Sequence, residues 1–354
     1  MPKKNKQVTV TETGDDEVVP FKYSISSYGA DYTVDSLVAR MRDEDIYVPH
    51  FQRGFVWSFG DASRFIESLL LGLPVPGIFL AKEYDSRRMI IVDGQQRLRT
   101  LQYFYDGVFA NKREFALKGV QAQFVGLTYR SLPDSDRRQL ADSIIHATII
   151  RQDEPSDDES SVYYIFQRLN TTGVELKPQE IRSCIYHGPF NDLLSDLNAA
   201  APWRALFGPP HRNMRDQELI LRFFALYFRG DSYAKPMATF LNRYMGKNRH
   251  LKSKLSRELA ELFLATVDTI LNAIGENAFK PKKALNAAFY DAVMVGIARR
   301  LQQGTIKRAG EVRDRYLRLL GDDKFVMATE TATTDEENVR RRLDIATKAF
   351  AYVK

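Results

Sequence analysis

The sequence predicts an α+β domain followed by an all-helical one. Three observations carry that prediction. Apolar runs of strand length, at Gly77–Lys82, Met89–Val92 and Ile144–Arg151, all lie before residue 153. Between them, apolar residues recur at helical spacing. Beyond an acidic run, Asp153–Glu159, helical spacing is nearly unbroken.

In order, residues 1–19 are polar, lack the apolar stretch of a signal peptide, and read as a disordered leader. Residues 20–152 form the mixed domain. Tyr28–Tyr32 is a strand candidate and Val34–Met41 a short helix. Ile46–Val48 is extended, because Pro49 disfavours helical backbone before it. Asp61–Leu71 is an amphipathic helix that Gly72 can end. Ser86–Arg88 turns the chain between two strands, and Leu132–Ala141 is a helix. Residues 153–354 form the helical domain, and its acidic start suits a loop and a helix's first turn. Helices are expected over Val162–Leu169, Lys177–Tyr186 with Pro178 at a tolerated early position, Met214–Phe228 and Lys235–Tyr244. More follow over Ser256–Ile274, Leu285–Gln302, Gly310–Leu319 and Asp335–Tyr352, the last opened by Thr334 and Glu337 at capping-box spacing.

The chain has 354 residues, 44% hydrophobic and 27% charged, enough for two buried cores. No apolar run approaches the roughly 18 residues of a membrane span. The one cysteine, Cys184, cannot form an internal disulfide and reads as a core thiol. Together these features point to the cytoplasm. A net charge of +6 is compatible with a polyanionic partner.

The organising stretch is Ile90–Tyr105, IIVDGQQRLRTLQYFY. A buried strand runs through Asp93–Gly94 into a helix with Leu98, Leu101, Tyr105 and Val108 on one face. Gln95, Gln96 and Arg97 lie on its first turn. Free backbone N–H groups and the positive end of the helix dipole gather there, which suits an anion. Asp93 can instead cap the helix, with Gln96 reaching back as in a capping box. That leaves Gly94, Gln95 and Arg97 unexplained, and Asp93 could equally hold a metal ion or a polarised water.

Two further constellations are polar. Gln52 and Arg53 are framed by Pro49, Phe51, Phe55 and Trp57. Those aromatics can order the Arg by stacking or offer a platform for a base; alternatively they are core. Phe166–Gly173, FQRLNTTG, with Lys177 and Arg182 beyond, is either a ligand-facing corner or an ordinary helix–turn–helix one. Arg53, Arg97, Arg168 and Arg182 all read as lying on tight turns or helix ends, where guanidinium forks hold phosphates.

PHFQRGFVW (Pro49–Trp57), IIVDGQQRLRTLQYFYDG (Ile90–Gly107) and FQRLNTTGVELKPQEIR (Phe166–Arg182) resemble the signature blocks of the GmrS-like domain family. That family forms the N-terminal part of GmrSD-type, modification-dependent (type IV-like) restriction systems and related phage-defence proteins. MRDQELILRFFALY and FLNRYMGKNR resemble its following helical region. The resemblance implies a ParB/sulfiredoxin-like N-terminal fold that binds a nucleoside triphosphate, GTP or another, with Mg²⁺. It ties the DGQQR turn to hydrolysis and the domain to sensing modified phage DNA. Carried over by position, Asp93, Gln96 and Arg97 are catalytic and Asp93 is the metal ligand. Gln52, Arg53, Gly94, Gln95, Thr100, Asn170 and Gly173 line the nucleotide site, with Asn170 and Gly173 closing it from the helical side.

Many relatives carry a C-terminal HNH-type nuclease. Here the histidines, His50, His146, His187, His211 and His250, are scattered singly, and His211–Arg212–Asn213 reads as a loop. The chain is therefore expected to act with a separate HNH-type nuclease subunit. A non-catalytic, nucleotide-switched DNA-binding adaptor and a stand-alone nuclease using the N-terminal cleft remain alternatives, and a homo-oligomer is compatible with all three. Lys247, Arg249, Lys252 and Lys254, with the pairs Arg299–Arg300 and Lys307–Arg308, are either a DNA-binding surface or solvated faces.

Overall fold

A computed structural model describes residues 10–11, 24–48, 55–82, 88–154, 177–282 and 284–354. The chain divides into two units: Lys22–Leu176, and Met1–Phe21 together with Lys177–Lys354. The expected division lies near residue 152, and the two compact units meet in sequence at 176–177. The N-terminal stretch, expected to be a disordered leader, contributes a strand, β1 (Val10–Thr11), to the second unit.

The first unit is a five-stranded sheet with helices. Its strands are β2 (Ser24–Thr33), β3 (Ile46–Tyr47), β4 (Ile78–Lys82), β5 (Met89–Asp93) and β6 (Ile144–Glu154), in the order β2-β6-β4-β5-β3. Its helices are α1 (Val34–Arg42), α2 (Phe59–Leu70), α3 (Gln95–Asp106) and α4 (Asp134–Asp142). The expected helix over Val162–Leu169 lies outside the described residues.

β2 is twice the expected length because pairing, not apolarity, holds it. It runs antiparallel to β6 along its whole length, with Tyr28 opposite Ile149 and Asp31 opposite His146. Thr33 then caps α1 by accepting the Ser36 N–H at 3.3 Å. α2 begins two residues earlier than expected because Ser58 and Asp61 form a reciprocal capping box. The Ser58 hydrogen bonds, together with Arg64, hold the Asp61 carboxyl below the usual range. Gly72, at φ +68°, follows the end of the helix.

The four helices among the described residues share one core with one face of the sheet. Leu37, Phe65, Ile66, Leu98, Leu101, Phe104 and Leu140 pack with Ile78, Leu80, Met89, Ile91, Ile145, Ala147 and Ile149. Truncating a fully buried leucine such as Leu98 or Leu101 to Ala costs about 2–5 kcal/mol. Strand side chains alternate faces, and Ala81, Ile90, Val92 and Ile150 are buried as well. Strands covered on both faces read as continuous apolar runs, which is why MIIV stands out in the sequence.

The second unit is helical. Its two most buried helices, Arg215–Arg229 and Ala287–Leu301, are joined by a buried ion cluster. Asp291 accepts from Arg222 at 2.7 and 3.1 Å and from Arg342 at 2.9 Å. Burial pushes the Arg342 pKa down, opposed by Asp291. Breaking such a pair strands a buried charge and costs about 3–5 kcal/mol. Asn286 caps the second of these helices by accepting the Phe289 N–H at 3.0 Å. It also belongs to β7 (Leu285–Asn286), which pairs in parallel with β1.

Among the described residues, three α-helices were not foreseen: Pro189–Ala199, Ala201–Phe207 and Asp323–Glu330. The capping box expected from Thr334 and Glu337 does not form. The N-cap is Asp335, the Thr334 carbonyl accepts the Tyr233 hydroxyl at 2.7 Å, and Glu337 pairs with Arg341. No helix among the described residues is long and apolar enough to cross a membrane.

Candidate functional site

β5 carries four buried residues, then releases Asp93 into an exposed position. Gly94 follows at φ +96° and is the N-cap of α3. A Cβ there would collide with the Ile78 methyl Cγ2 and lie 3.3 Å from an Arg97 nitrogen. Glycine is thus required twice, by the left-handed backbone and by the close approach of β4.

This geometry overturns the capping reading of Asp93. Gly94 is the cap and supplies no side chain. The Asp93 carboxylate turns forward to Arg97, with Oδ2 2.8 Å from Nη2. Gln96 does not reach back either: its Oε1 accepts the backbone N–H of Val56 at 2.9 Å and of Trp57 at 3.3 Å. Of the Gln96 amide, only the NH₂ group can turn to a ligand. The first turn of α3 therefore has no side-chain cap, and its backbone donors suit an anion.

Arg97 is mostly buried, with 14% of its side chain exposed against 55% for Asp93. The nitrogen that meets Asp93 also donates to the Gly77 carbonyl at 3.0 Å. Its Nε is buried without a partner among the described residues. An unpaired buried donor costs about 1–3 kcal/mol, so this guanidinium keeps unused capacity for an acceptor.

Gln95 is half-buried on the same turn. Thr100 is fully buried, and its hydroxyl donates to the Gln96 carbonyl at 2.7 Å, a bond inside the helix. Gln52, Arg53, Arg168, Asn170 and Gly173 lie outside the described residues. Phe55 and Trp57 pack against the core and stay partly exposed. Phe55 meets Tyr103 and Phe109 edge-on at 5.1 and 5.4 Å, and Trp57 meets Phe65 at 5.6 Å.

Arg182 does not lie open to a phosphate. It is 1% exposed and donates to Asn242, Gln179 and Glu218 at 2.8, 3.2 and 2.8 Å. On the second unit Lys247, Lys252 and Lys254 are exposed, whereas Arg249 donates to the His187 carbonyl at 2.8 Å. Arg299 and Arg300 brace their own unit, on Thr347 and on the carbonyls of Val353 and Gly304. Arg308 pairs with Glu311. His211 closes a local turn, its Nδ1 accepting the Asn213 N–H at 3.2 Å.

No cluster of three or more His, Cys, Asp or Glu suited to a metal occurs among the described residues. A divalent ion at Asp93 would thus take most ligands from water and a bound phosphate, which is how Mg²⁺ is commonly held. Two groups near this turn were not foreseen: the Gly77 carbonyl, and a His146–Asp31 pair on the same sheet. The first depends on a close approach and the second on strand register, and neither leaves a local motif.

A search among curated proteins finds no match. A family model, the N-terminal domain of the GmrSD restriction endonuclease, matches residues 34–187. That span holds α1–α4, the Asp93–Arg97 turn and the sheet from β3 to β6. Residues 34–187 are thus similar to the N-terminal domain of the GmrSD restriction endonuclease family.

Proposed function

We propose that this chain is a component of a modification-dependent restriction or phage-defence system, acting as its nucleoside-triphosphate-binding and hydrolysing sensor with a separate nuclease chain. One observation carries the reading: the α3 N-terminus has no side-chain cap, and beside it Arg97 holds a buried Nε with no partner among the described residues. Phosphate oxygens supply what both lack. The backbone N–H groups of the first turn and Arg97 would hold the phosphates, and Gln95 would flank them. Asp93, half exposed, would hold Mg²⁺ once Arg97 turns to the phosphate. When bound, Mg²⁺ would neutralise phosphate charge and orient it for attack. Gln96 would position rather than react, by fixing the backbone at Val56–Trp57 against the same turn.

Phosphate release by the purified chain, with each of the four nucleoside triphosphates and with or without modified DNA, tests the reading. Turnover that needs Mg²⁺ and is lost in Arg97→Ala is expected. No release with any nucleotide would sink it.

A second reading, a switch that binds nucleotide without hydrolysing it, draws on the Asp93–Arg97 pair itself, since a carboxylate already neutralised can act as a latch alone. Tight binding without phosphate release would select it. DNA contact through Lys247, Lys252 and Lys254 is the remaining part of the proposal. Affinity should fall linearly in log–log terms with salt, and the slope should shrink by about one per phosphate-contacting lysine removed.

A further inference from the structure

We infer that His146, oriented by Asp31, is the general base of the same site. This rests on the hydrolytic reading above and adds a residue to it. Asp31 on β2 lies opposite His146 on β6, and His146 Nδ1 is 2.8 Å from Asp31 Oδ1. A carboxylate on Nδ1 keeps the proton there and leaves the Nε2 lone pair pointing outward, the arrangement of a base. Both side chains are open to solvent, at 59% and 63% exposure.

Gly29 makes room for the ring, and Gly77 lets the backbone of β6 approach. A Cβ at Gly29 would lie 2.7 Å from the ring Cε1, and one at Gly77 would lie 2.7 Å from the His146 carbonyl oxygen. The ring therefore rests on the backbone of β2, while the residue before β4 closes against β6. Ile145 and Ala147 point into the helix-covered core, so His146 stands on the opposite face by alternation.

Gly77 connects the two groups. Its carbonyl accepts from Arg97, and its α-carbon abuts His146. Arg97 and His146 thus flank one residue. Among the described residues, Asp31 from β2 is the charged group on the ring. The β4 side presents a glycine, with Arg97 beyond it.

The step balances. The water oxygen bonds to the terminal phosphorus as the bond to the bridging oxygen breaks, and that electron pair leaves with the nucleoside diphosphate. The water proton goes to His146 Nε2, Asp31 offsets the imidazolium charge, and the proton then passes to solvent.

The test uses the full chain with His146→Ala, His146→Gln, Asp31→Asn and Arg97→Ala. Phosphate release is followed against pH. We expect His146→Ala to lower kcat by about 10²–10⁴-fold, to leave KM within about twofold, and to remove the acid limb of the profile. Asp31→Asn should lower kcat less. If His146→Ala fails to fold, His146→Gln, which keeps the bulk, decides. A second readout is independent of turnover: Mg²⁺ with the β,γ-imido analogue of ATP or GTP should slow acylation of His146 by diethyl pyrocarbonate, with the other histidines as internal controls. Wild-type kcat and pH profile in the His146 variants, with Arg97→Ala inactive, would reduce the pair to a cross-strand brace and leave the hydrolytic reading standing. A wild-type chain that releases no phosphate would remove both.

Discussion

The side-chain oxygen of Gln96 accepts the backbone N–H of Val56 at 2.9 Å, and so ties the DGQQR turn to the segment that follows Gln52 and Arg53 in sequence. Trp57 adds its own N–H at 3.3 Å. Replacing Gln96 with Leu leaves two backbone donors without their acceptor, a loss of about 1–3 kcal/mol. The expected result is faster amide exchange at Val56 and Trp57, with α3 itself unchanged. Gln96→Glu keeps an acceptor and should exchange as wild type. Equal exchange in wild type and Gln96→Leu would show that the tie carries no weight.

Gly94 carries both the left-handed turn and the contact with Ile78. Gly94→Ala should therefore cost at least the roughly 1–2 kcal/mol of left-handed backbone for a non-glycine residue. Displacement of Ile78, 1% exposed, adds to that. A urea unfolding midpoint well below wild type is expected. Gly107, also left-handed at φ +73°, has nothing within 4 Å of its added Cβ. Gly107→Ala should lose only the backbone term, and the difference between the two variants measures the contact with Ile78.

The strands of the first unit were legible where both faces are buried, as at Met89–Val92, because nothing polar interrupts them. β2 was half read, since Ser, Gly, Asp and Thr fill it and only its partner sets its length. The helix at Pro189–Ala199 opens on proline after Gly188, and that at Ala201–Phe207 has Pro202 as its second residue after Ala200, with no polar cap to announce either. At the site, the four-residue spacing of Asp93 and Arg97 is visible in the sequence, whereas the role of Gly94 as cap is not, because it depends on Ile78. Arg182 looked like a helix-end cation because its acceptors Glu218 and Asn242 lie 36 and 60 residues away. The His146–Asp31 pair spans 115 residues and is set by strand register alone.

Asp93 and Arg97 hold one another, so under the proposed function each would have to be released to serve a nucleotide and its metal. Asp93→Asn weakens that hold without removing bulk. In chelator, where no divalent ion is present, Asp93→Asn should bind the β,γ-imido analogue more tightly than wild type, since Arg97 no longer faces a carboxylate. Turnover with Mg²⁺ should fall by about 10²–10³-fold, as for loss of a preorganised charged group. Titration calorimetry and phosphate release separate the two effects. Weaker binding of the analogue in chelator would mean that Asp93 orients Arg97 for the phosphate rather than competing with it.

His211 gives the second unit a dependence on pH. Burial strips water from its ring and pushes its pKa below the ordinary 6.5; Asp216 opposes this, and Arg215 and Arg212 add to it. The neutral ring accepts the Asn213 N–H on Nδ1, so protonation also removes that bond. An unfolded chain takes up the proton at a higher pH than the folded one does. Stability from this residue is therefore complete above about pH 6.5 and is lost as the pH falls from there through the lowered folded value. Wild-type Tm should drop on going from about pH 7.5 to about pH 5.5. His211→Asn, which keeps a side-chain acceptor but does not titrate there, should lose less Tm over the same interval. An equal or larger loss in His211→Asn would assign the slope to other groups.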